Sequence, residues 1–93
     1  MDYKFLNKVI DQLVSETRID YDRGVIESPF FSIRIVKVSG LYIFNNLNHI
    51  SSFTHSSFID HCRDVYGLNE QEIEYVWKEY RETIIDKLKN NGL

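Results

Sequence analysis

The sequence predicts an α+β domain: an N-terminal helix, a small antiparallel sheet of two hairpins, then a short helix and a long C-terminal helix. Three observations carry this reading. Apolar residues recur at spacings of three and four at both ends of the chain, as on one face of a helix. The middle, residues 18–45, changes to short runs of β-branched and aromatic residues broken by turn residues. With 93 residues and no long linker or internal repeat, residues 1–93 form a single domain.

Residues 2–17 read as the first helix, with Phe5, Leu6, Val9, Ile10 and Leu13 on one side. Tyr3 and Val14 widen that side to nearly half the circumference, which suits a helix packed on a sheet or between two neighbours. Next, Ile19 and Tyr21 alternate with charges, and Asp22-Arg23-Gly24 turns the chain into Val25-Ile26, a short hairpin. Pro29 opens the following segment, "FFSIRIVKV", in which Phe31, Ile33 and Ile35 share a strand face. Val36 and Val38 fall on the Arg34 face, so both faces are partly covered or the strand is bulged. Ser39-Gly40 turns the chain and "LYIF" returns as a strand.

Residues 45–56, "NNLNHISSFTHS", read as a polar loop pinned by Leu47, Ile50 and Phe53. A short helix is expected over 57–66, with Ser57 as its N-cap and Asp60 three residues on. Its face is Phe58, Ile59, Cys62, Val65 and Tyr66, and Gly67 supplies a left-handed C-terminal residue. Asn69 caps the last helix, with Glu70 and Glu72 at its positive end. Ile73, Val76, Trp77, Tyr80, Ile84 and Leu88 form its apolar face; Lys87 and Lys89 suit its negative end, and "NNG" stops it.

Composition narrows the function classes. The apolar fraction of 43% and charged fraction of 27% are those of an ordinary folded domain. A chain this short buries only ~60–65% of its unfolded surface, enough for one core. The N-terminus mixes Asp2, Lys4, Lys8 and Asp11 into its apolar residues, so it does not read as a signal peptide, and no apolar run is long enough to span a bilayer. A lone cysteine makes no intramolecular disulfide. The expectation is a soluble cytoplasmic protein with no membrane partner. Alanine is absent while Ile, Asn, Lys, Phe and Tyr abound, the bias of an AT-rich gene, which associates with a phage or other mobile-element origin and hence a host cytoplasm.

Net charge is −3, and no segment carries an excess of bases, which disfavours nonspecific phosphate binding. A helix-turn-helix-like nucleic-acid reader is the second reading, because Cys62, Tyr66, Leu68, Ile73 and Val76 have its apolar spacing. Two features oppose it. Arg63 stands where a small residue lets the helices approach. Glu70, Gln71 and Glu74 would also meet the phosphates before Lys78.

All three histidines (His49, His55, His61) and Cys62 fall within fourteen residues, which raises a third reading, a weak metal or thiol site around His61 and Cys62. The spacing contains no ligand pair of the zinc type. On a helix His61 and Cys62 point ~100° apart, and Cys62 faces the core. His61 neighbours Ser57 and Asp64, an arrangement as fit for a surface ion pair as for a metal. Glycines at 24, 40, 67 and 92 form no phosphate loop, and the pairs Asp20/Asp22 and Asp60/Asp64 suit solvated faces. No catalytic constellation and no cofactor are implied.

The first reading is therefore a small acidic, non-enzymatic interaction or accessory module that binds a protein partner or self-associates, as a homodimer for example. Its candidate surface is the outer stripe of the last helix: Glu72, Tyr75, Glu79, Glu82 and Asp86. Tyr75 amid carboxylates is the residue type that anchors an interface, with an acidic rim facing a basic partner. The Arg34/Val36/Val38 side of the sheet, or an edge strand, is a further candidate.

Overall fold

A computed structural model describes residues 1–34 and 52–90. It shows the α+β class: helix α1 (Tyr3–Ser15), strands β1 (Arg18–Asp20), β2 (Val25–Ser28) and β3 (Phe31–Arg34), then helices α2 (Ser52–Tyr66) and α3 (Glu70–Asn90). The strands form one antiparallel sheet in the order β1-β2-β3. The expected strand beyond Arg34, its return at 41–44, and the loop at 45–51 with Leu47, His49 and Ile50 lie outside the described residues.

α1 starts at Asp2, whose Oδ1 accepts the Phe5 amide at 3.1 Å. This cap fixes the start and satisfies one of the helix's free amides. Leu6, Val9, Ile10 and Leu13 are buried, and α1 packs chiefly against α3. Phe5 departs from expectation, being 42% exposed. It sits roughly 90° around the helix from the middle of the arc set by the four buried residues.

The first hairpin turns where expected. Gly24 has φ 67°, a backbone state that favours glycine, and Asp20 Oδ1 accepts the Arg23 amide at 3.0 Å across the turn. Tyr21 lies in this turn and is 45% exposed, since β1 ends one residue before it. The register aligns Ile19 with Ile26 and Ile26 with Ile33. Ile26 is 2% exposed, and Ile19 packs partly buried on the same core. Between β2 and β3, Phe30 is held by its amide to Ser28 Oγ at 3.3 Å. Its ring meets Phe58 at 5.2 Å and Tyr80 at 5.9 Å, both edge-on.

α2 is longer than the sequence suggests. It begins at Ser52, so residues 52–56 are helical and Ser57 lies inside the helix, not at its cap. The Asn- and Ser-rich composition of 45–56 predicts a loop, but the residues at 52–56 that prove helical are Ser, Phe, Thr and His, whose helix propensities fall only about 0.7 kcal/mol or less below alanine. Once Phe58 and Cys62 hold the helix in the core, each added residue gains a hydrogen bond and the weak preference yields. Val65, expected on the buried face, is 59% exposed. It falls about 70° around the helix from the middle of the arc set by Phe58, Cys62, Ile59 and Tyr66, which pack on the core.

The junction of the two C-terminal helices matches its sequence signals. Gly67 has φ 65° and its amide bonds to the Arg63 carbonyl at 3.1 Å, the left-handed helix stop. Leu68 follows as a plug, 4% exposed. Asn69 and Glu72 form a reciprocal capping box: the Glu72 amide donates to Asn69 Oδ1 and the Asn69 amide to Glu72 Oε1, each at 2.9 Å. α3 then buries Ile73, Val76, Tyr80, Ile84 and Leu88. Phe58 sits where the parts meet, fully buried, 4.5 Å from Trp77 and 5.6 Å from Tyr80 between ring centres.

Candidate functional site

The stripe proposed from sequence spans about four turns of α3, and the structure gives its members different roles. The Glu72 carboxylate is engaged by the Asn69 amide, so it serves the helix start. Tyr75 is half-buried at the seam with α1. Its ring meets Tyr3 edge-on at 5.1 Å and its hydroxyl donates to Asn7 Oδ1 at 3.1 Å. Tyr75 therefore joins two helices in addition to lining a surface. Tyr3 itself is 53% exposed, so the seam presents an aromatic pair to solvent. Glu79 is half-buried, and Glu82 and Asp86 are exposed at the following helical positions. Periodicity places Tyr3 on the buried side of α1 and gives Asn7 no signal; the pairing arises only from the packing of α1 on α3.

The histidine and cysteine group does not assemble into one site in the described part of the chain. Cys62 is fully buried, and burial pushes its thiol up from 9.0 to about 12. At pH 7 only about one molecule in 10⁵ then holds a thiolate, the form needed for attack or metal binding. His61 is half-buried, with its ring 5.1 Å from Phe30 and 6.0 Å from Tyr66. Its Nε2 is buried and finds no hydrogen-bond partner among the described residues. Asp64 is exposed, and Asp60 is taken by Arg63 at 3.6 Å. Among the described residues no group of three or more His, Cys, Asp or Glu is placed to hold a metal ion. His49 lies outside those residues, and His55 is within the first half of α2.

The α2–α3 corner has the helix-turn-helix order, but the position normally kept small holds Arg63. A cleft of about 280 Å³ opens there, lined by Ile59, Arg63, Glu70, Ile73 and Glu74. Its rim carries two carboxylates at the start of α3, the charge that opposes a phosphate backbone. A half-buried polar contact joins the chain just after α1 to α3. Thr17 Oγ1 lies 2.7 Å from the Leu13 carbonyl, to which it can donate, and 2.7 Å from the Tyr80 hydroxyl, a contact in which either hydroxyl can be the donor. Burial raises the Tyr80 pKa, against a smaller lowering by this bond. Tyr66 is raised by burial first, then by the Glu16 carboxylate and Cys62.

Among the described residues no helix is long and apolar enough to cross a membrane. Comparison with protein-family models, with curated proteins and with solved structures finds nothing that matches this chain.

Proposed function

We propose that this chain is a non-enzymatic protein-interaction module that meets a basic protein partner along the α1–α3 seam. The observation that supports it best is the Tyr3–Tyr75 aromatic pair, half open to solvent, on the stripe that continues through Glu79, Glu82 and Asp86. An aromatic pair already fixed by packing and by the Asn7 bond loses little side-chain entropy on binding. The carboxylates beside it speed and orient the approach of a positively charged surface. The internal bonds of Tyr75 do not compete with this role, because its partner Tyr3 offers the exposed ring. The net charge of −3 fits the same partner. The reading carries with it a cytoplasmic location, that of the host if the gene is phage-borne.

The test compares the wild-type chain, as bait in lysate from its own cells, with Glu79→Lys/Glu82→Lys and Tyr3→Ser variants that keep the wild-type melting temperature. The expected result is a basic partner retained at low salt, released as salt rises, and lost in both variants. Retention of every bound protein by both variants would sink the seam as the binding surface. Sedimentation of the bait alone separates a foreign partner from a second copy of the chain, since self-association shows as a concentration-dependent mass.

A further inference from the structure

We propose that the cleft between α2 and α3 receives a single arginine side chain of the protein partner, an inference that rests on the interaction reading above and names the chemistry of a second contact. Glu70 and Glu74 stand one helical turn apart on the cleft's rim. Like charges at that spacing repel, and neither carboxylate has an ion pair or hydrogen bond among the described residues. Glu72 lies between them in sequence but is turned to the capping box, so the cap leaves Glu70 and Glu74 unused. Arg63 also lines the cleft and pairs with Asp60 on its own helix at 3.6 Å, so two carboxylates face one cation there and a net negative charge remains. A cation from outside would relieve the repulsion.

The rest of the lining selects the kind of cation. Ile73, 4% exposed, and the half-buried Ile59 form an apolar wall suited to an aliphatic stem. A volume of about 280 Å³ holds one long side chain, whereas a helix is ~10–12 Å across with its side chains. Carboxylates one turn apart have Cβ atoms ~5–6 Å from each other. The flat guanidinium, with donors on several edges, bridges such a pair; a compact ammonium meets one carboxylate at a time. The occupant is therefore an arginine, not a lysine or an apolar anchor.

The test is an amide-resolved NMR titration of the full chain at low ionic strength with N-acetyl-arginine methylamide, and with the lysine and norleucine analogues as controls. The expected result is saturable shifts confined to the amides of Ile59, Arg63, Glu70, Ile73 and Glu74, stronger for arginine than for lysine and absent for norleucine. Affinity falls about tenfold in Glu70→Gln/Glu74→Gln, the size of two exposed charge pairs. Glutamine keeps helix propensity, so the variant folds. No saturable shift, equal shifts for all three probes, equal affinity for lysine, or unchanged affinity in the double variant would each overturn the assignment. A silent cleft with partner binding still lost on Glu79→Lys/Glu82→Lys rejects the cleft alone. A saturable cleft with no effect of that reversal rejects the seam alone.

Discussion

Cys62 makes the domain sensitive to alkali in a way that can be worked out in advance. Its thiol is fully buried and has a pKa of about 12 in the folded chain, against 9.0 when exposed. The folded state thus keeps a proton that the unfolded state releases. Stability is fully present below pH 9 and declines as pH rises from there through about 12, the opposite of a carboxylate. Each unit of difference is worth about 1.4 kcal/mol, so the loss is about 1.4 kcal/mol by pH 10 and about 4 kcal/mol beyond pH 12. That is a large part of the 5–15 kcal/mol typical of a domain. Tyr80 and Tyr66, also raised, add to the slope above about pH 10. The assay is urea unfolding at a series of pH values from 7 to 11, for wild type and Cys62→Ala. Alanine costs about 1 kcal/mol at neutral pH through lost packing, but it removes the slope between pH 9 and 10. The reasoning fails if both proteins lose stability equally over that interval, or if native Cys62 reacts with a thiol reagent as fast as free cysteine.

The other expectations concern stability. Phe58→Ala removes the ring shared by Phe30, Trp77 and Tyr80 and costs about 3–5 kcal/mol in denaturant unfolding, whereas Val65→Ala, at an exposed site, stays within about 0.5 kcal/mol. Gly67→Ala meets no atom within 4 Å, so its cost comes from φ 65° alone, about 1–2 kcal/mol by thermal melt, and Gly67→Asn costs less. Asn69→Ala opens the capping box and costs about 1 kcal/mol, with the first turn of α3 losing amide-exchange protection first. Tyr80→Phe removes the hydroxyl bonded to Thr17 and costs about 1 kcal/mol, and a cycle with Thr17→Val shows coupling of similar size.

The parts of the fold that could be read from sequence are those where a local rule and a tertiary requirement agree. Gly67 is the clearest: the helix stop needs a left-handed residue, and glycine stands there with φ 65°. Asn69 and the α3 face follow the same logic, as does Gly24 in the hairpin. The start of α2 is not legible in the sequence, because Ser57 and Asp60 resemble a cap while the start five residues earlier carries no stronger local signal. Cap chemistry marks where a helix could begin; packing decides whether it does. Phe5 and Val65 fail for a related reason. Periodicity assigns them to a face, but only the partner's length and position decide how much of that face is covered.

The candidate site shows the same division, and it changes what Tyr75 means. Its spacing with Glu72, Glu79, Glu82 and Asp86 identifies a stripe, which is a property of one helix. Its bond to Asn7 and its contact with Tyr3 are properties of two helices, sixty-eight residues apart in the bond's case, and no local pattern announces them. An isolated exposed tyrosine would have to be ordered by its partner. A tyrosine fixed between helices is ordered beforehand, and it orders Tyr3 beside it. Truncating Tyr75 would therefore loosen the domain as well as any interface, and the two effects would be confounded. Tyr3, exposed and at the edge of α1, is the position at which binding separates from folding.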